Sequence, residues 1–393
     1  MILREAYLKK IRPFYDSDLV KVITGIRRCG KSVVLNQIMD EIQKKTDNII
    51  YLNFEKTSDF LRVKNALGIV QYVSQNKKEG KCYVFLDEVQ EIPDWQVAVK
   101  DLRLENNSIF ITGSNSKLLS SEILTFLSGR FVSFQIRPFV YAEIEEYSKQ
   151  LHKNCSPNDY LTWGGFPGRF LYDSIENQKA YLSDLENTIV YNDLIKRYRI
   201  RKEVVFKKSV AFILQSNARI VSARSIHKYI NNECENVSLN TVLKYIEYLK
   251  EAFIVEEVPQ YSPKTKKELA YYYKLYDMDV CFNSLAIDNN RYDLDRNLEN
   301  IVYSELLYRG YKVKVFDNGG KEIDFLANKD GKDYYVQVAY SVLDPKSYER
   351  EFGAFKHVDP LSKKIIITTD ENDYSTSLVR HISLAHFLHL KEL

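Results

Sequence analysis

The sequence is short of paired cysteines, of long apolar runs and of net charge, and each shortage argues against a class of protein. Its five cysteines (Cys29, Cys82, Cys155, Cys234 and Cys281) stand singly, with no C-x-x-C pair. That spacing speaks against a disulfide framework or a structural zinc site and fits reduced thiols in a cytosol. No run approaches the roughly 18 apolar residues of a membrane span. The opening segment MILREAYLKKIRPFY carries Arg4, Glu5, Lys9, Lys10 and Arg12 with no apolar stretch behind them, so it is not read as a signal peptide. The expectation is a cytoplasmic protein without a membrane partner. Net charge is only +3, from 56 Lys and Arg against 53 Asp and Glu. Any nucleic-acid contact must therefore come from a local patch.

What is present is core material: 45% hydrophobic and 13% aromatic residues in 393, enough for two or three domains. Leu19–Thr24, Ile49–Leu52, Tyr83–Leu86 and Ser108–Thr112 are continuous apolar runs, and Lys31–Ile42 has helical spacing. Continuous runs alternating with helices indicate a parallel sheet buried on both faces. Residues from about 15 to 140 are thus expected to form a doubly wound α/β domain. From Tyr141 the pattern turns helical, broken by Gly164-Gly165-Phe166-Pro167-Gly168 and resumed over Ala180–Ile195. Residues 199–275 hold 14 Lys and Arg against 8 Glu and no Asp, a local +6. Three helical stretches (about 204–215, 222–231 and 239–252) precede a β-like run from Phe253 to Val258. The last hundred residues read as a helix, Leu298–Arg309, followed by four strands.

One motif carries chemistry. Gly25-Ile26-Arg27-Arg28-Cys29-Gly30-Lys31-Ser32 fits G-x-x-x-x-G-K-[ST] without a mismatch and sits between a strand and a helix. Glycines let the backbone curl so that its N–H groups face phosphates, and the helix adds its positive end there. Lys31 is expected to reach the β- and γ-phosphates and the Ser32 hydroxyl to ligate Mg²⁺. The apolar strand Tyr83–Leu86 ends in Asp87 and Glu88. Asp87 is the second metal candidate, and Glu88 the group that polarises an attacking water.

Three further features have two readings each. Ser114, in Thr112-Gly113-Ser114-Asn115-Ser116, either orients that water or belongs to a plain turn. Arg130, in Ser128-Gly129-Arg130-Phe131, either stabilises transition-state charge, from its own chain or a neighbour's, or forms a surface salt bridge. Arg27 and Arg28 either attend the phosphates or face solvent.

In order along the chain, GIRRCGKS, FLDEVQEIPDW, ITGSNSKLL, LSGRF and the GGFP turn resemble the AAA+-superfamily ATPases of bacteria and archaea that pair an N-terminal AAA domain with a C-terminal domain of unknown function. The resemblance implies an ATPase core over 1–140 and a helical lid over 141–198. ATP is preferred to GTP on that resemblance alone.

The basic segment 199–275 resembles a winged helix. Its third helix, with Ser238 as N-cap, is expected to bury Leu239, Val242, Leu243, Ile246 and Leu249. Asn240, Thr241, Lys244 and Tyr248 are then left outward for nucleic acid, with Lys264, Lys266 and Lys267 extending the wing. The alternative is a structural or protein-interaction module. Residues 276–393 resemble the PD-(D/E)xK nuclease core. Glu299 and Asp324 stand in suitable places, but Gln337 and Ala339 replace the second carboxylate and the lysine, which implies a vestigial, inactive site.

The expectation is therefore an α/β chain: an AAA+-like P-loop sheet, a helical lid, a winged helix and a small nuclease-like domain. It would use ATP and Mg²⁺, and its nucleotide state would move the C-terminal domains, with DNA, a protein partner or further copies of the chain as partners. The alternatives are a nucleotide-regulated interaction protein with little turnover and an ATP-gated nuclease.

Overall fold

In the computed structural model, the apolar runs of the first third become a parallel sheet. It describes residues 1–119, 127, 129–220, 222–233, 237–262, 267–287, 291–317, 321–356 and 358–393. The chain divides into two units, Met1–Pro138 with Glu251–Phe253, and Phe139–Lys250 with Ile254–Leu393.

The first unit is built on β1 (Val20–Thr24), β2 (Ile49–Asn53), β3 (Tyr83–Asp87), β4 (Ser108–Gly113) and β5 (Phe131–Gln135), in the order β2-β3-β4-β1-β5. Every pairing is parallel. Both faces are covered, so β1, β3 and β4 bury nearly every side chain, as continuous apolar runs require. Val20, Val22, Leu52, Val84, Leu86, Ile109 and Ile111 form one core with Trp95, Ala98, Val99 and Leu102 from the helix Trp95–Leu104. Phe85 stacks on Phe110 with centroids 4.6 Å apart. The register Asn53↔Asp87 and Thr24↔Gly113 brings the carboxyl ends of the four apolar strands to one edge. β5 has no apolar run, because it is an edge strand of mixed burial.

The second unit opens with three helices, Tyr141–Gln150, Pro157–Trp163 and Ile175–Thr188, the last continuing as a π-helix over Ile189–Lys196. The three helices of the basic segment fall at Glu203–Gln215, Ala223–Glu233 and Leu239–Glu251. Ser238 Oγ caps the third, accepting the Thr241 N–H at 3.1 Å. Its buried stripe differs from expectation: Val242, Tyr245, Ile246 and Leu249 are buried, whereas Leu243 is 43% exposed. Residues 242, 245, 246 and 249 follow helical spacing, and 243 lies a residue off that face.

β6 (Arg219–Ile220), β7 (Val255–Ser262) and β8 (Lys267–Asp277) pair antiparallel as β7-β8-β6. Parallel pairing of β7 with β9 (Lys312–Asp317) carries this sheet into the tail. There β10 (Glu322–Lys329), β11 (Lys332–Val338), β12 (Lys363–Thr368) and β13 (Arg380–Ser383) complete eight strands, β13-β12-β11-β10-β9-β7-β8-β6. The tail helix spans Leu294–Tyr308. Among the described residues, no helix is long and apolar enough to cross a membrane.

Candidate functional site

The loop Gly25–Gly30 leaves β1 and turns into α1 (Lys31–Gln43), and its backbone explains its glycines. Gly25 has φ +147°, and a Cβ there would meet the Ile136 carbonyl oxygen at 2.2 Å. Gly30 caps α1 with φ +102°. Both conformations are those that L side chains disfavour. Ile26 and Cys29 are buried, the Cys29 thiol donating to the Ile136 carbonyl at 3.3 Å. Arg28 is exposed with φ +65°. Arg27 pairs with Glu55 at 3.3 Å.

Lys31 is the first residue of α1 and only 4% exposed. Its Nζ donates to the Ile26 carbonyl at 3.3 Å and lies 3.3 Å from Glu88 Oε1. Burial is the largest influence and pushes this ammonium's pKa down, but the charge and hydrogen bond of Glu88, with Cys29 and Asp87, together hold the group above its ordinary value. Ser32 Oγ donates to Asp87 Oδ1 at 3.2 Å. Asp87 also accepts from Thr112 Oγ1 (2.5 Å), Tyr51 OH (3.1 Å) and Asn53 Nδ2 (3.3 Å). A hydroxyl and a carboxylate converging beside the phosphate loop are hard oxygen donors, and they fit Mg²⁺.

Glu88 follows β3 in the left-handed region, at φ 53° and ψ 50°, a conformation that costs energy in a non-glycine residue. Its carboxylate is fully engaged. Oε1 faces Lys31, while Oε2 accepts from Gln90 Nε2 at 2.6 Å and from the Ser114 N–H at 3.2 Å. Burial alone would raise its pKa, yet Lys31 and the Gln90 amide hold it below the ordinary carboxylate value. The Ser114 hydroxyl is buried without a protein partner, as is Gln90 Oε1. Those two oxygens, with Thr24 Oγ1 at the end of β1, are buried polar atoms able to meet a water or phosphate.

Arg130 is not brought to this place by its own chain. It precedes β5, whose Phe131 is in register with Val20 at the start of β1. Five residues of strand at about 3.3 Å each separate it from the loop edge. Its exposed side chain therefore lies at the opposite edge of its own sheet.

Two residues of this site escape a reading by motif. Arg4 is 1% exposed; its guanidinium donates to the Cys29 carbonyl and to the Arg137 carbonyl, each at 3.1 Å. It thereby props the loop from beneath. Gln90 stands two residues past Glu88 with no spacing rule to mark it.

In the second unit, Asn240 and Lys244 are exposed on the helix Leu239–Glu251 and Thr241 is half-buried. Thr241, Lys244 and Tyr248 line an open cavity of about 410 Å³ together with Tyr198, Arg201 and Lys202. Tyr198 stacks on Tyr248 at 3.7 Å. Lys264 and Lys266 lie outside the described residues, and of Lys267 only the backbone is described. Glu299 and Asp324 do come together in the tail, but around Lys274: its Nζ lies 2.7 Å from Glu299 and 3.2 Å from Asp324. Gln337 turns its amide to Glu351 at 2.8 Å. Burial and the neighbouring Asp324 push Glu299 up to about 7. The sequence signal for Lys274 was a lone lysine in the aromatic run Tyr271-Tyr272-Tyr273-Lys274-Leu275-Tyr276.

Residues 17–145 match the family described as AAA domain, and residues 156–291 match the Domain of unknown function (DUF8612). An uncharacterized protein of Haemophilus influenzae is 35% identical over 380 residues, covering 94% of this chain and 93% of its own length. Another, of Methanocaldococcus jannaschii, is 31% identical over 376 residues, covering 90% of this chain and 82% of its own. A solved Walker-type ATPase of Pyrococcus abyssi overlaps 73% of this chain and 96% of its own, with TM-score 0.48 and 15% identity.

Proposed function

The chain belongs to the family of the Haemophilus influenzae and Methanocaldococcus jannaschii proteins, with a P-loop NTPase domain of AAA+ type at its N-terminal end, and from that premise we propose that it is a cytoplasmic, Mg²⁺-dependent ATPase. The observation that carries the reading is the convergence of Lys31, Ser32, Asp87 and Glu88 at one edge of the parallel sheet. In this reading the backbone of Gly25–Ser32 cradles the phosphates, and Lys31 leaves Glu88 for the β- and γ-phosphates. Ser32 and Asp87 would hold Mg²⁺, which when bound neutralises charge on the phosphate oxygens. Glu88, released from Lys31 but still held by Gln90 and the Ser114 N–H, orients water toward the γ-phosphate. Ser114 Oγ offers that water a second partner.

The nucleotide state of the first unit would move the second, which acts on nucleic acid. Support comes from the +6 segment 199–275, folded as three helices and a β-hairpin in winged-helix order, with Lys244 exposed. Steady-state ATP hydrolysis with and without single- and double-stranded DNA tests both halves of the reading. DNA stimulation that vanishes in Lys31→Ala and Glu88→Gln supports it, and absence of hydrolysis under all conditions overturns it. Tight ATP binding with negligible turnover would favour a nucleotide-regulated interaction protein instead. The fully engaged Glu88 carboxylate gives that second reading its own support.

A further inference from the structure

The resemblance of the tail to a metal-dependent nuclease implies a divalent cation held by Glu299 and Asp324, and the side chains present do not fit one. Lys274 reaches in from β8 and is 2% exposed. Its ammonium has three N–H groups and three carboxylate partners: Glu299 at 2.7 Å, Glu322 at 2.6 Å and Asp324 at 3.2 Å. It donates hydrogen bonds to Glu299 and Asp324 and pairs with Glu322 by charge. The carboxylates are themselves tied elsewhere. Glu299 Oε1 also accepts from Tyr276 OH at 2.7 Å, and its Oε2 lies 3.4 Å from Arg296. Asp324 Oδ2 accepts from the Val338 N–H at 2.9 Å. Gln337, where a further acidic ligand would stand, donates its amide to Glu351 and accepts the Asp324 N–H. Among the described residues, no group of three or more His, Cys, Asp or Glu is placed to hold a metal ion.

A Mg²⁺ or Mn²⁺ ion demands oxygens at about 2.0–2.2 Å and keeps several waters. A buried ammonium offers one positive charge where the ion would bring two, with no waters and longer contacts. We propose that Lys274 is the built-in cation of the tail: its ammonium takes the place of a divalent metal between Glu299, Glu322 and Asp324. The cluster then serves as an ionic joint rather than a hydrolytic centre. It ties three elements together, β8, the helix Leu294–Tyr308 and β10, so that the hairpin of the basic segment and the tail sheet move as one piece. Removing one partner of a buried ion cluster leaves uncompensated charge and is strongly destabilising, which keeps the joint closed.

The inference does not depend on ATP hydrolysis, and it is tested on the nucleotide-free full-length chain with Mn²⁺ alone as the probe. Bound Mn²⁺ is followed by electron paramagnetic resonance, and Tm by differential scanning calorimetry. In the wild type, Mn²⁺ is expected to leave Tm unchanged, and Asp324→Asn to remove no Mn²⁺ site. Lys274→Met is expected to melt well below the wild type and to gain one Mn²⁺ per chain. Its affinity should be at least about tenfold tighter than anything the wild type shows, with Tm recovering as the ion binds. That gain should disappear in Lys274→Met combined with Asp324→Asn. A wild-type Mn²⁺ site that Asp324→Asn abolishes would overturn the proposal. So would a Lys274→Met chain that melts like the wild type and ignores Mn²⁺. If Lys274→Met does not fold, the wild-type titration decides alone.

Discussion

The Lys31 ammonium lies 3.3 Å from the Glu88 carboxylate, so the group proposed to meet phosphate and the group proposed to direct water form one buried ion pair. The two substitutions at this pair separate the two roles. Lys31→Ala removes the cation and is expected to weaken binding of a fluorescent ATP analogue by about a hundredfold or more, as loss of a charge-assisted contact implies. Glu88→Gln keeps the shape and the Gln90 contact. It should leave ATP affinity within a few-fold while lowering kcat by about 10²–10⁴, the usual worth of a general base. Equal loss of binding in both variants would show that the pair is structural.

Gln90 is predicted to position Glu88. Its amide donates to Glu88 Oε2 at 2.6 Å, and its Oε1 is buried without a partner. Gln90→Leu keeps the volume but removes the donor that favours the charged carboxylate, so the Glu88 pKa should rise. Phosphate-release assays across pH should show the acid limb of kcat moved upward and kcat lowered about tenfold at neutral pH, with KM nearly unchanged. An unmoved acid limb would remove the positioning role.

Arg4 gives a third prediction, at the base of the loop. Arg4→Met would leave the Cys29 and Arg137 carbonyls without their guanidinium donors and remove the cation from above the Tyr7 ring, 4.7 Å away. Buried groups stripped of partners cost about 1–3 kcal/mol each. Calorimetry should show a drop of several degrees in Tm, and ATP affinity should fall with it because the Cys29 backbone belongs to the phosphate loop. A variant with lowered Tm and unchanged affinity would confine Arg4 to stability.

The phosphate loop and Asp87–Glu88 are legible in the sequence because local chemistry dictates them. A curled backbone demands glycine at Gly25 and Gly30, and a buried parallel strand delivers whatever follows it to the sheet edge. Arg130 shows the limit of that logic. Its motif order suggested the site, but parallel pairing of β5 with β1 puts the start of β5 at the far edge. Arg4 and Lys274 were not legible because each gains its meaning from partners remote in sequence, Arg137 for one and Glu299 and Asp324 for the other. Composition near Lys274 hints at a paired lysine but says nothing of its partner. Leu243 was misplaced for a plainer reason: Tyr245 is amphipathic, and counting aliphatics alone rotates the apparent buried face.

Glu186 offers a test of burial without a counter-ion. It lies on the helix Ile175–Thr188, and burial alone raises its carboxyl from the ordinary 4.5 to about 7. Nearby Asp277, buried with Oδ2 unpartnered, is pushed well up by burial and by Glu186. Between 4.5 and 7 the folded chain holds a proton at Glu186 that the unfolded chain has released. Stability therefore falls as pH rises through that window, and the full penalty is present above about pH 7. Each pK unit corresponds to about 1.4 kcal/mol, so Glu186→Gln should gain up to about 3 kcal/mol at pH 8, less whatever solvent reaches the carboxyl. At pH 5 the gain should shrink to a small fraction, because the wild-type carboxyl is then protonated in the folded state. Chemical denaturation of both chains at the two pH values reads Glu186 together with the part of the Asp277 shift that the Glu186 charge causes. A gain of equal size at pH 5 and pH 8 would mean that the substitution acts through packing rather than through charge.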